Sequence, residues 1–440
     1  MIMSDKISRR EFVERSAMTV GLAALGGVWT EGALAQTKSP NEKLNIACIG
    51  CGGQGWSDMQ NWSNENVVAL CDPDQVSAAN AFKKYASAPK YDDYRKMLEK
   101  EAKNIDAVVV STPDHHHAAA GVMAMKMGKH VYVQKPLAHT PQEARIMTET
   151  ARKCKVITQM GNQGHPSYAR LVELIAANPI GNITEAHVMT DRPIWPQGML
   201  TRPAEVQTPP STLNWDMWLG PAAERPYNKA YLPFVWRGWW DFGTGALGDM
   251  ACHIMDGAFW SLGLQLPLAV EAQSSGVLPD AAPSWSIIKY EFPARGNRPP
   301  VTLTWYDGGK TIPEELLEGQ KIDKGYNGTL FIGDKGKILM GHGAAPILLP
   351  EKKFEDYVMP AQSIPRVANH YQQWIDVCKS GGVCGSNFDY AGPMTEALLL
   401  GNVALRAGKR IEYDAKNLRA KGCPEADQYI RYRFRKGWKL

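Results

Sequence analysis

The sequence lacks any apolar stretch of the roughly 20 residues that a membrane-spanning helix needs, so no membrane span is expected. Charge of one sign is also not in large excess, since 49 basic and 45 acidic residues leave a formal net charge of +4. The basic residues form no run or stripe, which argues against nucleic acid as the main partner. There is no internal repeat and no low-complexity tract, so a repeat protein and a disordered chain are not expected either.

Cysteine is scarce, with 8 in 440 residues, and its positions argue against a disulfide framework. Cys48 and Cys71 lie inside apolar runs that predict buried strands. The C-x-x-C spacing of Cys48 and Cys51 straddles a strand end and a glycine turn, so we interpret these thiols as packing residues rather than a redox or zinc site. Cys378 and Cys384 flank a predicted helix end, and the sequence leaves open whether they pair.

The N-terminal segment resembles an export signal. Arg9 and Arg10 precede a weakly apolar stretch, residues 17–28, and the small-x-small sequence Ala-Leu-Ala at residues 33–35 resembles a cleavage site. The sequence therefore predicts a twin-arginine signal over residues 1–35 and a periplasmic location for the mature chain. A disordered tail with a chance Arg-Arg pair is the alternative.

The remaining chain is long enough for two domains, and its hydrophobic content of 44% is that of a packed protein. Short apolar runs alternate with helical segments in the first part, which predicts a Rossmann-type doubly wound parallel sheet over residues 43–160. Longer runs with partial alternation follow. They predict a second α+β domain with an open, mainly antiparallel sheet over residues 161–365, and helices and a tail over residues 366–440 that pack back on both.

The predicted elements are these. Strands of the first domain are expected at residues 44–49, 67–71, 105–110 and 131–133, with a helix at 116–127. Strands of the second domain are expected at 183–190, 268–273, 287–292 and 301–306, with a hairpin at 329–340 and later helices at 370–378 and 396–407. Residues 192–248, rich in Trp, Pro and Gly, are too long for a simple connection. The free face of the open sheet makes a homo-oligomer a further expectation.

A glycine-rich loop follows the first predicted strand and opens a helix. The loop is a G-x-G-x-x-G made of Gly50, Cys51, Gly52, Gly53, Gln54 and Gly55. In this context the glycines permit a tight turn and a close backbone approach to a pyrophosphate, which the helix N-terminus attracts. Asp72 ends the second strand 17 residues after Gly55, where a ribose-binding carboxylate is expected. Its charge would repel a 2′-phosphate, so the sequence favours NAD over NADP.

Three further residues have the chemistry needed to oxidise a secondary alcohol. Lys135 lies at the carboxyl end of a predicted parallel strand, where such sheets bind ligands, and can stabilise a developing alkoxide. Asp249 and His253 are four residues apart and would share one helical face. The histidine can take or return the hydroxyl proton, and the aspartate can hold a neighbouring hydroxyl or orient the histidine. The alternative is a structural role, in which Asp249 and His253 hydrogen-bond to each other and Lys135 is an ordinary surface lysine.

Four motifs together resemble the glucose-fructose oxidoreductase / inositol dehydrogenase / rhizopine-catabolism (Gfo/Idh/MocA) family. They are the glycine fingerprint, residues 112–115 (Thr-Pro-Asp-His), residues 134–136 (Gln-Lys-Pro) and residues 245–253 (Gly-Ala-Leu-Gly-Asp-Met-Ala-Cys-His). The resemblance implies a dinucleotide-binding domain, an open-sheet domain and activity on sugars or cyclitols. It places Lys135 at the reacting carbon and implies cofactor contacts from Thr112, Pro113, His115, Gln134 and Lys135. The family has glutamate where this chain has Gln134, which removes a negative charge beside the lysine.

The remaining candidates concern substrate. Asn162 and His165 fall at the predicted domain junction and are candidates for contacts with substrate hydroxyls. Trp236 and Trp240 are candidates for stacking on a sugar ring, with packing beneath the long loop as the alternative. Three consecutive histidines from His115 cannot all face one metal from a helix, so no metal site is predicted.

The sequence therefore predicts an exported NAD-dependent oxidoreductase that acts on a carbohydrate or glycoside hydroxyl and retains its cofactor. A redox-neutral, NAD-dependent glycosidase or lyase remains open, in which oxidation at one sugar carbon permits elimination before the hydride returns. A non-catalytic sugar sensor on the same scaffold is the third alternative.

Overall fold

Two β-sheets organise the part of the chain that the computed structural model describes, residues 42–198 and 201–440. The twin-arginine signal expected over residues 1–35 lies outside the described residues. Within them, no helix is both long and apolar enough to cross a membrane.

The first sheet has six parallel strands in the order β3-β2-β1-β4-β5-β6. The strands are β1 (Asn45–Ile49), β2 (Asn66–Cys71), β3 (Lys90–Tyr91), β4 (Ala107–Val110), β5 (His130–Gln134) and β6 (Thr158–Gly161). β1 and β4 are almost completely buried, which explains their continuous apolar sequences. The chain turns in opposite directions from these two central strands, and a crevice opens at their carboxyl ends.

Five helices connect the strands of the first sheet. They are α1 (Gln54–Asn61), α2 (Ala79–Lys84), α3 (Tyr94–Glu101), α4 (His117–Lys126) and α5 (Pro141–Cys154). The start of α5 follows from its sequence, because the side chain of Thr140 accepts from the Glu143 N–H while the Glu143 carboxylate accepts from the Thr140 N–H. Pro141 at the first helical position needs no hydrogen-bond acceptor there.

The second sheet has nine strands in the order β13-β12-β11-β7-β10-β9-β8-β14-β15. The strands are β7 (Ile183–Met189), β8 (Ala269–Ser274), β9 (Ser286–Phe292), β10 (Val301–Tyr306), β11 (Gly328–Gly333), β12 (Gly336–Gly341), β13 (Ile347–Leu349), β14 (Ile411–Asp414) and β15 (Arg419–Lys421). All the pairs are antiparallel except the parallel pair β7 and β10. The predicted fold class, a Rossmann-type parallel sheet with a second, mainly antiparallel sheet, is confirmed.

Seven helices accompany the second sheet and the C-terminal region. They are α6 (Ala169–Ala176), α7 (Trp215–Leu219), α8 (Gly245–Ile254), α9 (Asp256–Leu262), α10 (His370–Ser380), α11 (Phe388–Ala407) and α12 (Asp427–Ile430). The sequence predicted only the second part of α11. The helix begins earlier because the Asn387 side chain accepts from the N–H groups of Asp389 and Tyr390.

One hydrophobic cluster runs through both sheets. It includes Val108 of β4, Leu398 of α11 and Leu303 of β10, each fully buried. A second cluster covers the opposite face of the first sheet, where α10 packs. There the rings of Trp374 and Trp62 meet edge to face with their centroids 5.2 Å apart.

All eight cysteines are unpaired, including Cys378 and Cys384, whose pairing the sequence left open. Cys48 and Cys51 are buried in the second cluster, and burial raises the pKa of both thiols. The structure thus agrees with the interpretation of these two residues as packing residues.

Replacing Trp374 by alanine is expected to lower the free energy of unfolding by about 3–5 kcal/mol, because it leaves a cavity between α10 and the first sheet. Chemical unfolding followed by circular dichroism measures this loss. Val383→Ala is the control, because Val383 is 74% exposed and its truncation should change stability by less than about 0.5 kcal/mol. Equal stability of the Trp374→Ala variant and the parent would contradict the packing described for α10.

Candidate active site

The turn from β1 into α1 requires glycine at position 50 in the loop and at position 55 in the first turn of the helix. Gly50 has a φ of +80°, and a Cβ placed there would lie 2.5 Å from the Ser111 carbonyl oxygen. A Cβ on Gly55 would lie 2.0 Å from the Gly50 carbonyl oxygen. The first turn of α1 therefore packs directly against the loop, as predicted from the fingerprint.

A cavity of about 320 Å³ lies at the crevice formed by the carboxyl ends of the central strands. Its lining includes the glycine loop and two of the three catalytic candidates, Lys135 and Asp249, but not His253. The predicted residues that line it are Gly50, Gly52, Gly53, Gln54, Asp72, Thr112, Pro113, Gln134, Lys135, Trp236 and Asp249. The structure thus brings the fingerprint, Lys135 and Asp249 to one place.

Asp72 is the acidic residue at the end of β2. Its Oδ2 accepts from the Cys51 N–H at 2.8 Å and its Oδ1 from the Asp74 N–H at 2.9 Å, which fixes the carboxylate beside the glycine loop. Burial raises the pKa of Asp72 to about 6, and the backbone hydrogen bonds oppose that rise. The carboxylate is therefore ionised at neutral pH and can accept from the hydroxyls of a ribose.

The polar atoms of the cavity fit a dinucleotide. Among the described residues, the buried Thr112 Oγ1 and His116 Nδ1 have no hydrogen-bond partner, and both side chains belong to residues that line the cavity. Free N–H groups at the start of α1 and the carboxylate of Asp72 are the groups that bind pyrophosphate and ribose. No set of three or more potential ligands within residues 42–198 and 201–440 could hold a metal ion.

Lys135, Asp249 and Arg237 form a cluster of charges at the end of β5. Lys135 Nζ donates to the Asp249 Oδ1 and to the Asp249 carbonyl oxygen, both at 2.9 Å, and Arg237 Nε donates to the same Oδ1 at 3.0 Å. Burial opposes ionisation of Asp249, but the charges of Lys135 and Arg237 outweigh it and lower the pKa of Asp249 to about 2. The third N–H of Lys135 has no partner in the described part of the chain and remains available for a ligand oxygen.

His253 is oriented by a buried chain of hydrogen bonds. The Asn162 amide donates to the Cys252 carbonyl at 2.8 Å and to the Asp256 Oδ2 at 2.9 Å, so its Oδ1 must accept from His253 Nδ1, 2.9 Å away. Nε2 of His253 is therefore the unprotonated nitrogen. Burial, followed by the positive charge of Lys135, holds the pKa of His253 well below its usual range, so the ring is neutral at physiological pH.

Asp114 is a second acidic group in the cavity wall. Its Oδ2 accepts from the Thr244 hydroxyl at 2.7 Å, and Oδ1 has no partner among the described residues. Burial raises the pKa of Asp114 to about 7, although the Thr244 hydrogen bond and the charge of Arg237 oppose the rise. At neutral pH this carboxyl group can both donate and accept a proton.

An aromatic wall forms another side of the cavity. The guanidinium carbon of Arg237 lies 4.4 Å from the ring centre of Trp236 and 4.5 Å from that of Phe234. Phe234 is 46% exposed and has a φ of +65°, a conformation that costs energy for an aromatic residue. An exposed ring held in this way, beside Trp236, offers a surface for the C–H face of a sugar.

Six of the predicted site residues are not among those that line the cavity: Gly55, His115, Asn162, His165, Trp240 and His253. His115 packs against Trp218 and Phe242, and the neighbouring His116 lines the cavity instead. Trp240 is buried elsewhere, with its Nε1 donating to the Leu278 carbonyl. The structure therefore does not bring the side chains of His115 and Trp240 to the cavity.

Asn162 and His165 also differ from the prediction of direct substrate contact. The polar atoms of the Asn162 side chain are used by His253, Cys252 and Asp256, so it orients the histidine. His165 Nδ1 bonds to Asp256, and its ring stacks on Trp260 at 4.4 Å. Asp249 likewise does not contact His253, because its carboxylate is held by Lys135 and Arg237.

Several residues of the site were not predicted from the sequence. They are Arg237, Phe234, Asp114, Asp256 and Asp58. Asp114 stood inside a motif that was identified, and Phe234 and Arg237 stood in the long Trp-rich segment. Asp58 and Asp256 gave no local signal, because most of the residues that bind them are distant in sequence.

The fold and this arrangement define an NAD-binding oxidoreductase, and comparison with known proteins agrees. Residues 44–162 match the Gfo/Idh/MocA oxidoreductase family in its NAD-binding Rossmann fold, and residues 194–440 match the C-terminal alpha/beta domain of that family. The chain therefore belongs to the Gfo/Idh/MocA family.

Three curated relatives show the range of similar proteins. A glycosyl hydrolase family 109 protein of Bacteroides thetaiotaomicron is 32% identical over 126 residues, 26% of this chain and 27% of the relative. D-glucoside 3-dehydrogenase of Escherichia coli is 36% identical over 123 residues, 27% and 34% of the two chains. Levoglucosan dehydrogenase of Pseudarthrobacter phenanthrenivorans is 25% identical over 199 residues, which are 45% of this chain and 42% of the relative. Each match spans less than half of the relative's length.

Solved structures share the fold over most of the chain. The WlbA dehydrogenase of Bordetella pertussis, in complex with NADH and UDP-GlcNAcA, has a TM-score of 0.58 at 18% identity, covering 84% of this chain and 99% of that one. A levoglucosan dehydrogenase in complex with NADH and levoglucosan has a TM-score of 0.55 at 16% identity. The match covers 85% of this chain and 100% of that one.

Asp72→Ala is expected to narrow the preference for NAD over NADP by about tenfold, because it removes the charge that repels a 2′-phosphate. Titration of each dinucleotide by calorimetry measures the preference. In the parent, the NAD affinity should also fall between pH 7 and pH 5 as Asp72 gains a proton through its pKa of about 6.

Asp72→Asn is the control for that pH dependence, because the amide keeps the shape and does not titrate. Equal affinity of the parent protein for NAD and NADP would contradict the role assigned to Asp72.

Proposed function

We propose that this chain is an exported, NAD-dependent oxidoreductase that transfers a hydride between a secondary hydroxyl of a carbohydrate or glycoside and a tightly held nicotinamide cofactor. The observation that carries the proposal is the free N–H of Lys135, which is held by Asp249 in the wall of the dinucleotide cavity. The aromatic wall at Phe234 and Trp236 supports a sugar as the substrate.

Each residue of the site has its own role in the proposed reaction. NAD, when bound, supplies the hydride acceptor. His253 Nε2 takes the proton of the substrate hydroxyl, since Asn162 holds the proton of the ring on Nδ1. Lys135 donates its third N–H to the same oxygen and stabilises the negative charge that develops there. Asp249, which is itself held by Arg237, keeps the ammonium group of Lys135 in place at the cavity.

A redox-neutral glycosidase or lyase is the second candidate, and Asp114 is the observation that favours it. Elimination of a glycosidic bond next to an oxidised carbon needs a base for the C–H proton and an acid for the leaving group. Asp114, with a pKa near 7 and a free Oδ1 in the cavity wall, can serve in that second proton transfer. The similarity to glycosyl hydrolase family 109 proteins supports the same candidate.

One experiment separates the candidates. The purified protein is incubated with a panel of glycosides, and the absorbance of bound NADH and the release of aglycone are read together. Net NADH without aglycone supports the dehydrogenase. Aglycone without net NADH supports the redox-neutral reaction, and neither signal across the panel would contradict both enzymatic proposals in favour of a sugar sensor.

Lys135→Ala is expected to reduce turnover by about 10²-fold or more, because it removes charge stabilisation that is strongest in the transition state. NAD affinity should change little, since the glycine loop and Asp72 hold the dinucleotide. Single-turnover reduction of bound NAD at saturating sugar measures the rate. Lys126→Ala, an exposed lysine on α4, is the matched control and should behave like the parent.

His253→Ala should also slow the reaction, and the loss should be larger at neutral than at alkaline pH, where hydroxide partly replaces the base. The same single-turnover assay, run across pH, measures this difference. Turnover at the parental rate in both the Lys135 and the His253 variants would show that the proposed site is wrong.

Export with the cofactor already bound is part of the proposal, because a retained nicotinamide must be acquired where NAD is available. Replacing Arg9 and Arg10 by lysine should leave the precursor in the cytoplasm, folded and containing NAD. Fractionation of cells expressing each form measures the location. Unchanged delivery to the periplasm would contradict the twin-arginine prediction.

A further inference from the structure

Asp58 is a completely buried carboxylate on α1 that the mechanism above does not use. Four side chains donate hydrogen bonds to it. They are Ser111 Oγ at 2.7 Å, Gln54 Nε2 at 2.8 Å, Gln134 Nε2 at 2.9 and 3.1 Å, and Tyr371 OH at 3.0 Å. These donors come from α1, from the ends of β4 and β5, and from α10, so the carboxylate joins four separate segments.

No cation neutralises this group. Within the described residues Asp58 forms no ion pair, and the hydrogen bonds that hold it come from neutral amides and hydroxyls. A buried carboxylate without a counter-ion is costly, and such groups concentrate where a protein uses their charge. Burial raises the pKa of Asp58, and the four donors oppose the rise.

Asp58 lies one side chain behind the wall of the dinucleotide cavity. Gln54, Ser111 and Gln134 all line that cavity and all bind Asp58. Because Gln134 Nε2 donates to Asp58, its Oε1 is turned toward the backbone N–H of Lys135, 3.2 Å away. The carboxylate therefore fixes the amide that supports the lysine.

Position 134 is also where this chain departs from the Glu-Lys-Pro motif of its family. With Gln134 in this position, β5 lacks the negative charge that glutamate would place beside the lysine. Asp58 instead places a negative charge in contact with the Gln134 side chain.

We propose that Asp58 supplies a fixed negative charge behind the cavity wall and thereby favours the oxidised, cationic nicotinamide over the reduced, neutral one. The nicotinamide ring carries a positive charge only in NAD⁺, so a fixed anion behind the cavity wall stabilises that form selectively. The inference rests on the placement of the reacting end of the cofactor beside Lys135 in the proposed function. It makes Asp58 a positioning and electrostatic residue rather than a catalytic one.

The test is the ratio of the affinities for NAD⁺ and NADH, measured by calorimetry on the full-length protein without sugar. Asp58→Asn is expected to shift the ratio by roughly tenfold toward NADH, because it removes one charge from a partly buried site. Glu99→Gln, which removes an exposed carboxylate from α3, is the charge control and should leave the ratio unchanged.

The exchanged pair Asp58→Asn/Gln134→Glu restores one carboxylate to the cluster, and its ratio should return to within about threefold of the parent. If Asp58→Asn alone does not fold, Asp58→Asn/Gln134→Leu removes the unmatched amide donor and serves for the same comparison. An unchanged ratio in a folded variant without the carboxylate, or failure of the exchanged pair to restore it, would overturn the inference.

Because no sugar is present in this measurement, its outcome is independent of the substrate. A protein that oxidises a sugar but shows an unchanged ratio would disprove only the role of Asp58. A shifted ratio in a protein that acts on none of the glycosides would disprove only the proposed reaction.

Discussion

The ion pair between Lys135 and Asp249 is the interaction on which the arrangement of the site depends. It joins the end of β5 to α8, so the parallel sheet and the helices of the second part of the chain meet at a fixed distance. Both side chains are largely buried, and Arg237 gives Asp249 a second cationic partner. Arg237 extends the contact to the long Trp-rich segment, so the cavity is lined by residues far apart in sequence.

Site residues could be predicted from the sequence where their position depends on local backbone geometry. The glycine loop, Asp72 and Lys135 follow strand ends, and the carboxyl ends of parallel strands share one edge of a sheet, so their convergence could be predicted. Trp236 and Trp240 show the opposite case. They stand four residues apart in a segment of short turns without a repeating period, so nothing local decides which ring faces the cavity. Asp58 was not predicted, and Asn162 was expected to contact substrate. Most of the residues that bind these two side chains come from other elements, so the local sequence does not reveal their roles.

Buried aspartates perform three different tasks within this one site, and only their surroundings differ. Two cations hold Asp249 permanently ionised, with a pKa of about 2. Backbone N–H groups leave Asp72 with a pKa of about 6, which suits a hydrogen-bond acceptor at neutral pH. Asp114, with a single hydroxyl donor, reaches about 7 and can exchange its proton. The number and charge of the hydrogen-bond donors thus determine which role each aspartate has. Asp249 is a counter-ion, Asp72 is a hydrogen-bond acceptor and Asp114 is a proton carrier.

The hydrophobic cluster that continues from the first sheet through α11 into the second sheet limits how the cofactor can leave. Opening the crevice by rotating one sheet against the other would expose apolar surface that is now packed, at a large free-energy cost. Phe234 lines the same cavity and is 46% exposed, whereas Leu232 and Trp239 beside it belong to a separate buried cluster. We therefore expect a dinucleotide to exchange through small displacements of exposed side chains at the mouth of the crevice, and not through separation of the two sheets.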